Sequence, residues 1–431
     1  MKAFASFRRN LWDRASSTLF KLPLYAVLSY IFCILFFVFQ VKAYCFDPAH
    51  LAQLQQTKNC PKCDLSNAEL GEAGLAGAKL GGAVLRGANL SKIDLRGADL
   101  GDADFSNAVM NGAKLNRAKM LSSDLNGASL KGAKLSDADM TGANLTGAVF
   151  FNADMSNANL SGCRMAGINL GNANLSNAAM SGADLTNADL SGTVLMNTNL
   201  KGANFSGRNL DGLNLSGAVL KDAKFLGSSL NGAILLNADI NGADFTDASL
   251  ISADFRAGNL KGAVLKRTRL NSANLISIDL RDTDISYADF RNAAMDRVDL
   301  TGKDLTSVNV TGANFDSALL SGTTLSGKDL AKMNFAGADL SKAVLAKSNL
   351  KAANLFRANL KSADLVGADL SEANLTEALL EGAIIKNASF KKTELTNALW
   401  IDGKRCKKPA IGDCNPGVLD QILPFFKSPS K

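Results

Sequence analysis

The sequence predicts one all-β solenoid, and three observations predict it. From Leu65 to Trp400 every fifth residue is large and apolar, 68 positions in a row with no insertion and no polar substitution. Two residues before each of them the side chain is usually Ala, as at Ala68, Ala73, Ala78 and Ala83. All seven prolines lie outside residues 62–408, whereas a string of ordinary domains places Pro in its turns and linkers.

A period of five matches neither the 3.6 of a helix nor the 2 of a flat strand. In extended backbone, residues two apart point to one side, so the Ala and the large residue face inward together. The next two positions, rich in Ser, Thr, Asn, Lys and Gly, turn the chain through a corner, as in 142-GANLT-146. Four such units closing a coil would stack residues 20 apart. Phe205, Phe225 and Phe245 have that spacing, as do Phe315 and Phe335, and Met120 and Met140. No two Phe at the large position stand 5 or 15 residues apart. The units then make about 17 coils, and at roughly 4.8 Å per coil a rod on the order of 80 Å long.

The unit A(D/N)LXX, read here as 183-ADLTN-187, 203-ANFSG-207 and 368-ADLSE-372, resembles the pentapeptide repeat family. The resemblance implies a right-handed quadrilateral β-helix over residues 63–400. It agrees with the four-edge spacing and supplies the handedness.

The ends differ from the rod. Lys and Arg against Asp and Glu count 33 to 35 over residues 64–400, so the overall net charge of +7 belongs to the termini. Residues 1–21 form a basic arm with Lys2, Arg8, Arg9, Arg14 and Lys21 against Asp13. The charge-free run from Leu22 to Val41 follows and, as a helix, is long enough to cross about 30 Å of hydrocarbon. The basic flank orients it with the N-terminus in the cytoplasm. The expected product is a single-pass membrane protein whose repeats lie on the exported, periplasmic or lumenal side. Val41-Lys42-Ala43 also offers a signal-peptide cleavage site, which would make the body secreted or periplasmic.

A solenoid needs caps over its last coils. Residues 42–62 are read as an N-terminal helical cap in which Asp47 caps 47-DPAHLAQLQQ-56, Pro48 opens it, and Leu51 and Leu54 form its apolar stripe. His50 reads there as a surface residue. Residues 401–431 are the C-terminal cap and tail, with 416-PGVLDQIL-423 read as a helix facing the last coil.

Cysteines cluster at the caps, and export permits disulfides. The candidate pairs are Cys406 with Cys414 and Cys60 with Cys63, with Cys45 as a competing partner; Cys33 lies in the apolar run and Cys163 at a small interior position. Cys60-x-x-Cys63-Asp64-Leu65 and 400-WIDGKRC-406 resemble the flanks of exported family members. A Cys-x-x-Cys zinc site is the alternative, but it needs two more ligands from a chain with one His. No cofactor is expected.

Three cations interrupt the small interior position: Arg208, Lys303 and Lys328. In 207-GRNLDGLNL-215, 302-GKDLTSVNV-310 and 327-GKDLAKMNF-335 the next small position is large and apolar (Leu213, Val308, Met333). An unpaired buried cation is costly, so the expectation is a bulge in which the cation leaves the interior and its successor fills the volume. A partner site at these cations is the functional alternative.

Chemistry built on His is almost excluded, and no cluster joins a nucleophile, a base and an orienting group, so no enzyme is expected. Mimicry of duplex DNA toward a topoisomerase, known from the family, needs dense anionic charge that a nearly neutral repeat region lacks. No nucleic-acid partner is expected. The remaining expectation is a structural or protein-interaction rod at the cell envelope, partner unknown, tied to the membrane through Leu22 to Val41. A secreted effector acting at host membranes is the second reading.

Overall fold

The computed structural model describes residues 47–407, 410–412 and 414. The arm 1–21, the run Leu22–Val41, the segment 416–423, Cys33 and Cys45 lie outside these residues. No helix among the described residues is long and apolar enough to cross a membrane.

The chain winds as a solenoid. Parallel bridges join residues 20 apart, from Asn59–Lys79 to Leu379–Leu399, so four five-residue edges close each coil. Every large position from Leu65 to Leu380 is buried, with the small residue two before it, usually Ala, beside it. The residues that the 20-residue spacing marks as columns do stack. Phe225 lies 4.9 Å from Phe205 and 4.6 Å from Phe245, with parallel rings, and Phe315 lies 5.4 Å from Phe335.

The five-residue unit can be understood by asking where its five amides go. Around Leu65–Asn89, the Leu70 N–H donates up to Asn89 O (2.8 Å), and the Asn89 N–H donates down to Ala68 O (2.9 Å). The Asn67 N–H donates up to Arg86 O (2.9 Å), and the Ala68 N–H closes the corner on Leu65 O (3.0 Å). The amide just after the large residue remains, and the Asp or Asn just before that residue takes it. Ser106 N–H donates to Asp104 Oδ1 (2.9 Å) and Thr246 N–H to Asp244 Oδ1 (2.9 Å), with the Thr246 hydroxyl adding 2.6 Å to the same oxygen. The Asp and Asn residues therefore build the turn through local side-chain-to-backbone bonds.

Some of these carboxylates are held charged. Asp94 is lowered to about 2, first by the hydrogen bond from the Arg96 side chain. Asp64, Asp189 and Asp284 are lowered first by the Ser hydroxyl two residues on. A carboxyl depressed in the native state adds stability above its unfolded pKa of about 3.9, and that stability is lost as the pH falls through the native value. The melting temperature is therefore expected to be level from about pH 8 to about pH 5 and to drop between about pH 4 and pH 2, followed by circular dichroism. Asp94→Asn should shrink that drop.

Each corner closes with its second residue in the left-handed region, as a type II turn requires. Between Lys62 and Asn397 these residues have φ from 52° to 72°, whether Gly, Asn, Ser or Lys. Three corners depart, at Asn187, Asp282 and Ser307, and their cause is described below.

The two ends are finished differently. Helix α1 (Pro48–Thr57) is capped by Asp47, whose side chain accepts from Ala49 N–H (2.9 Å), and it buries Leu54 with Leu51 packed beside it. His50 is half-buried rather than a free surface residue. Its Nδ1 accepts the Asp64 N–H (3.1 Å), an amide of the first coil with no coil beneath to receive it. At the far end, Glu394–Ile411 and Leu399–Arg405 pair antiparallel, so the chain turns back along the last coil. Leu395 N–H reaches Ala410 O (2.8 Å) and Cys406 N–H reaches Ala398 O (2.9 Å). Ile385, Phe390 and Trp400, in that last coil, are the large positions left half-exposed.

Candidate functional site

The caps bring together two pairs of the cysteines singled out in the sequence. Cys60 and Cys63 are joined, with Cα atoms 5.4 Å apart, and so are Cys406 and Cys414, at 4.8 Å. Cys60 and Cys63 are thus consumed by each other, not offered as metal ligands. Among the described residues no group of three or more His, Cys, Asp or Glu is arranged to hold a metal ion. Cys163 is free and half-buried; its Sγ lies 3.0 Å from Met140 O, and burial pushes the thiol up to about 12, so it is a poor nucleophile. The Cys406–Cys414 bond closes a loop that pins the returning segment to the last coil. Cys406→Ser with Cys414→Ser is expected to cost about 2–3 kcal/mol, read as earlier fraying of residues 395–412 in hydrogen exchange.

The three interior cations form one recurring device. Lys303 and Lys328 do not swing out to solvent. Both are half-buried, with their stems in the wall and their ammonium groups on the carbonyl of the small residue one coil below. Lys303 Nζ donates to Thr283 O (2.6 Å) and Lys328 Nζ to Val308 O (2.7 Å). Those carbonyls would otherwise accept from Asp304 and Asp329 N–H, as Ala68 O does from Asn89. The bridges that would join 284 to 304 and 309 to 329 are accordingly absent; the ladder has two further gaps without an interior cation, 164–184 beside Cys163 and 259–279 beside Gly258. The bridge of 189 to 209 beside Arg208 is absent too, and Arg208 Nε is buried without a hydrogen-bond partner. The following large residues, Leu213, Val308 and Met333, are buried.

The wedge also resets the corner beneath it. Asn187, Asp282 and Ser307, the three corners without positive φ, each lie 21 residues before one of the cations. A regular corner aims its second amide N–H up at the next coil. Beneath an ammonium or guanidinium that positive end of the peptide dipole is repelled. Rotating the central peptide from a type II to a type I turn directs it away and removes the left-handed residue. None of the three positions is Gly. One coil above each cation stands a buried hydroxyl, Ser228, Thr323 or Ser348, bonded back to its own corner carbonyl at 2.7 Å. Both signals, the non-Gly corner and the hydroxyl 20 residues on, were available in the sequence once the register was known.

Burial pulls both lysines below the usual amine range, opposed by carboxylates: Asp282, Asp284 and Asp279 near Lys303, and Asp304 near Lys328. Each wedge opens a surface cavity. One of about 460 Å³ lies between Arg281–Ser286 and Lys303–Asp304, and one of about 170 Å³ between Ser307–Thr311 and Lys328–Asp329. A third, of about 450 Å³, separates Leu190–Val194 from Asn209–Asn214, next to Arg208.

Elsewhere the outer surface is balanced. Cations pair with acids two residues away, as Arg96–Asp94 and Arg256–Asp254, or one coil away, as Arg267–Asp247 and Arg357–Glu377. Such exposed pairs each contribute about 0–1 kcal/mol, so they shape the surface more than they hold the fold. Asn side chains ladder from coil to coil: Asn334 Nδ2 donates to Asn314 Oδ1 (2.8 Å) and Asn354 Nδ2 to Asn334 Oδ1 (2.9 Å).

Comparison with known proteins agrees with this geometry. The family model for pentapeptide repeats (eight copies) matches in stretches running from 63–102 to 363–399, covering well over half of the chain. Residues 303–324, from Lys303 onward, fall between the matched stretches 263–302 and 325–361. No curated protein sequence matches. Among solved structures the chain is similar to HetL, a pentapeptide repeat protein involved in heterocyst differentiation regulation in the cyanobacterium Nostoc. That match has 23% identity over 83% of this chain and 96% of HetL, with a TM-score of 0.16. QnrB1, a plasmid-mediated fluoroquinolone resistance protein, is 20% identical over 46% of this chain and 85% of its own, with a TM-score of 0.24. A thylakoid-lumen pentapeptide repeat protein of Arabidopsis thaliana is 33% identical over 26% of this chain and 67% of its own, with a TM-score of 0.14. Superpositions at such scores decide nothing, and the assignment rests on the repeat itself. The chain belongs to the pentapeptide repeat family.

Proposed function

We propose that this chain is a non-catalytic rod that presents a protein-interaction surface at the cell envelope. It would be held at the membrane by Leu22 to Val41 with the repeats on the exported side, or released there by cleavage after Ala43. One observation carries the interaction reading. The 20-residue register commits every fifth-position side chain from Leu65 to Leu380 to the interior, leaving a long wall of mostly polar and charged side chains outside, with single exposed apolar residues such as Leu121, Phe151 and Leu226. Such a wall suits many shallow contacts and assembles no nucleophile, base and orienting group. The charge-free run and its basic flank support the anchor, and the two cap disulfides are compatible with an oxidising compartment. The near-neutral surface, with its acids paired along the coils, speaks against the DNA-mimic reading. In-cell crosslinking and pull-down of the full-length chain from membranes is expected to recover a discrete envelope or lumenal protein. Recovery of none, or of a topoisomerase, would contradict the proposal.

A further inference from the structure

Tyr287 breaks the pattern of the outer wall. It occupies the second corner position, where nearly every other unit places Gly, Asn, Ser or a charged residue, and it is the one aromatic there. Its φ is 60° and it is 65% exposed. A bulky residue in the left-handed region is strained, and here most of the side chain stays in solvent. Its position is equally specific. Ser286, its neighbour, lines the Lys303 cavity, and its own amide leans on the hydroxyl of Ser307 (3.4 Å), which lines the Lys328 cavity. Tyr287 therefore stands on the seam between two adjacent openings in the ladder. In those openings the amides of Ile285, Asp304, Val310 and Asp329 have no partner among the described residues.

We propose that this corner, Tyr287 with the openings beside Lys303 and Lys328, is the docking surface for an extended, basic polypeptide segment of a partner protein. Unpaired backbone N–H groups in these openings are donors that the carbonyls of a segment laid over them can accept from, with side-chain contacts supplying specificity. An exposed tyrosine at the centre supplies an anchor of low conformational cost. The charge follows from the groups around the openings. Arg281 is paired with Asp279 and Asp299. Asp282, Asp284, Asp304 and Asp329 are exposed there, four carboxylates against the two half-buried ammonium groups of Lys303 and Lys328 turned onto carbonyls, so the surface offered to a partner is net anionic. The Arg208 opening has the unpaired ladder but no aromatic at its corner and only Asp211 among its charged lining residues, so it is the weaker edge.

The inference rests on reading the rod as an interaction surface, and the two can fail separately. The probe is a library of random ten-residue peptides displayed on phage and panned against the full-length chain, with Tyr287→Ala as the counter-selection. The expected result is a set of Lys- and Arg-rich peptides whose affinity falls at least tenfold with Tyr287→Ala, is retained by Tyr287→Phe, and weakens with Asp304→Asn plus Asp329→Asn. Binding should also slow hydrogen exchange at Ile285 and Asp304. Tyr287→Gly is expected to melt no earlier than the parent chain, which separates lost binding from lost folding. Peptides that do not discriminate against Tyr287→Ala, or no enriched peptide, overturn the inference. So does a sedimentation shift showing that Tyr287→Ala abolishes self-association, which would make the occupant a second copy. In any of these cases an envelope protein crosslinked through other faces would still leave the rod an interaction surface.

Discussion

Phe225→Ala is expected to destabilise the rod by about 3–5 kcal/mol, the range for deleting a fully buried aromatic side chain. Phe225 is wholly buried and lies between two parallel rings, so the cavity left behind is walled by Phe205 and Phe245. Three coils would have to move together to refill it, which the ladder of 2.7–2.9 Å bonds on either side resists. The loss should be local, because a solenoid's coils are stabilised by their nearest neighbours. Hydrogen exchange is expected to show protection falling first in the coils from Phe205 to Phe245, with the ends of the rod little changed. A cost under about 1 kcal/mol would mean that the column is loosely packed, against the burial observed.

Lys303→Ala is expected to act in the opposite direction and stabilise the chain by about 1–3 kcal/mol, from two or three recovered inter-coil hydrogen bonds. Without the ammonium, Thr283 O is free to accept the Asp304 N–H. Ile285 N–H can then reach the next coil, and the corner at Asp282 can return to the left-handed turn adopted almost everywhere else. Ala also restores the ordinary small residue of that position. The contrasting variant is Lys303→Met, which keeps the wedge but loses the bond to Thr283 O, and it is expected to destabilise. Thermal melts of the two variants against the parent chain check the signs. If Lys303→Ala melts earlier, the lysine contributes to folding instead of interrupting it.

The division between what sequence reading captured and what it missed has a physical basis. Interior occupancy was legible because one period governs it, and the coil register followed from identical rings recurring at Phe205, Phe225 and Phe245. Lys303 and Lys328 were recognisable as departures, but their solution was not, because it depends on which carbonyl lies under residue 303 or 328. That knowledge requires the atomic offset between coils. The same offset links Asp282 to Lys303 and Ser307 to Lys328 across 21 residues of intervening chain. His50 escaped for a different reason. Its partner is an amide left over where the ladder starts, and no pattern in α1 refers to that amide. The antiparallel pairing of Arg405 and Ile411 onto the last coil lies beyond the last repeat, where periodicity no longer constrains the chain. Tyr287 carried no periodic signal and stood out once the corner conformation and its two neighbouring openings were known.

Residue-resolved hydrogen exchange of the intact chain tests the central claim, an inter-coil ladder opened at three cation wedges, besides two further gaps at 164–184 and 259–279. Strong protection is expected for the inter-coil amides along the rod, such as Leu90, Asn89, Leu350 and Asn349. Fast exchange is expected at Leu190 and Asn209, at Ile285 and Asp304, and at Val310 and Asp329. Uniform protection through all six of those amides, or fast exchange spread evenly along the chain, would contradict it.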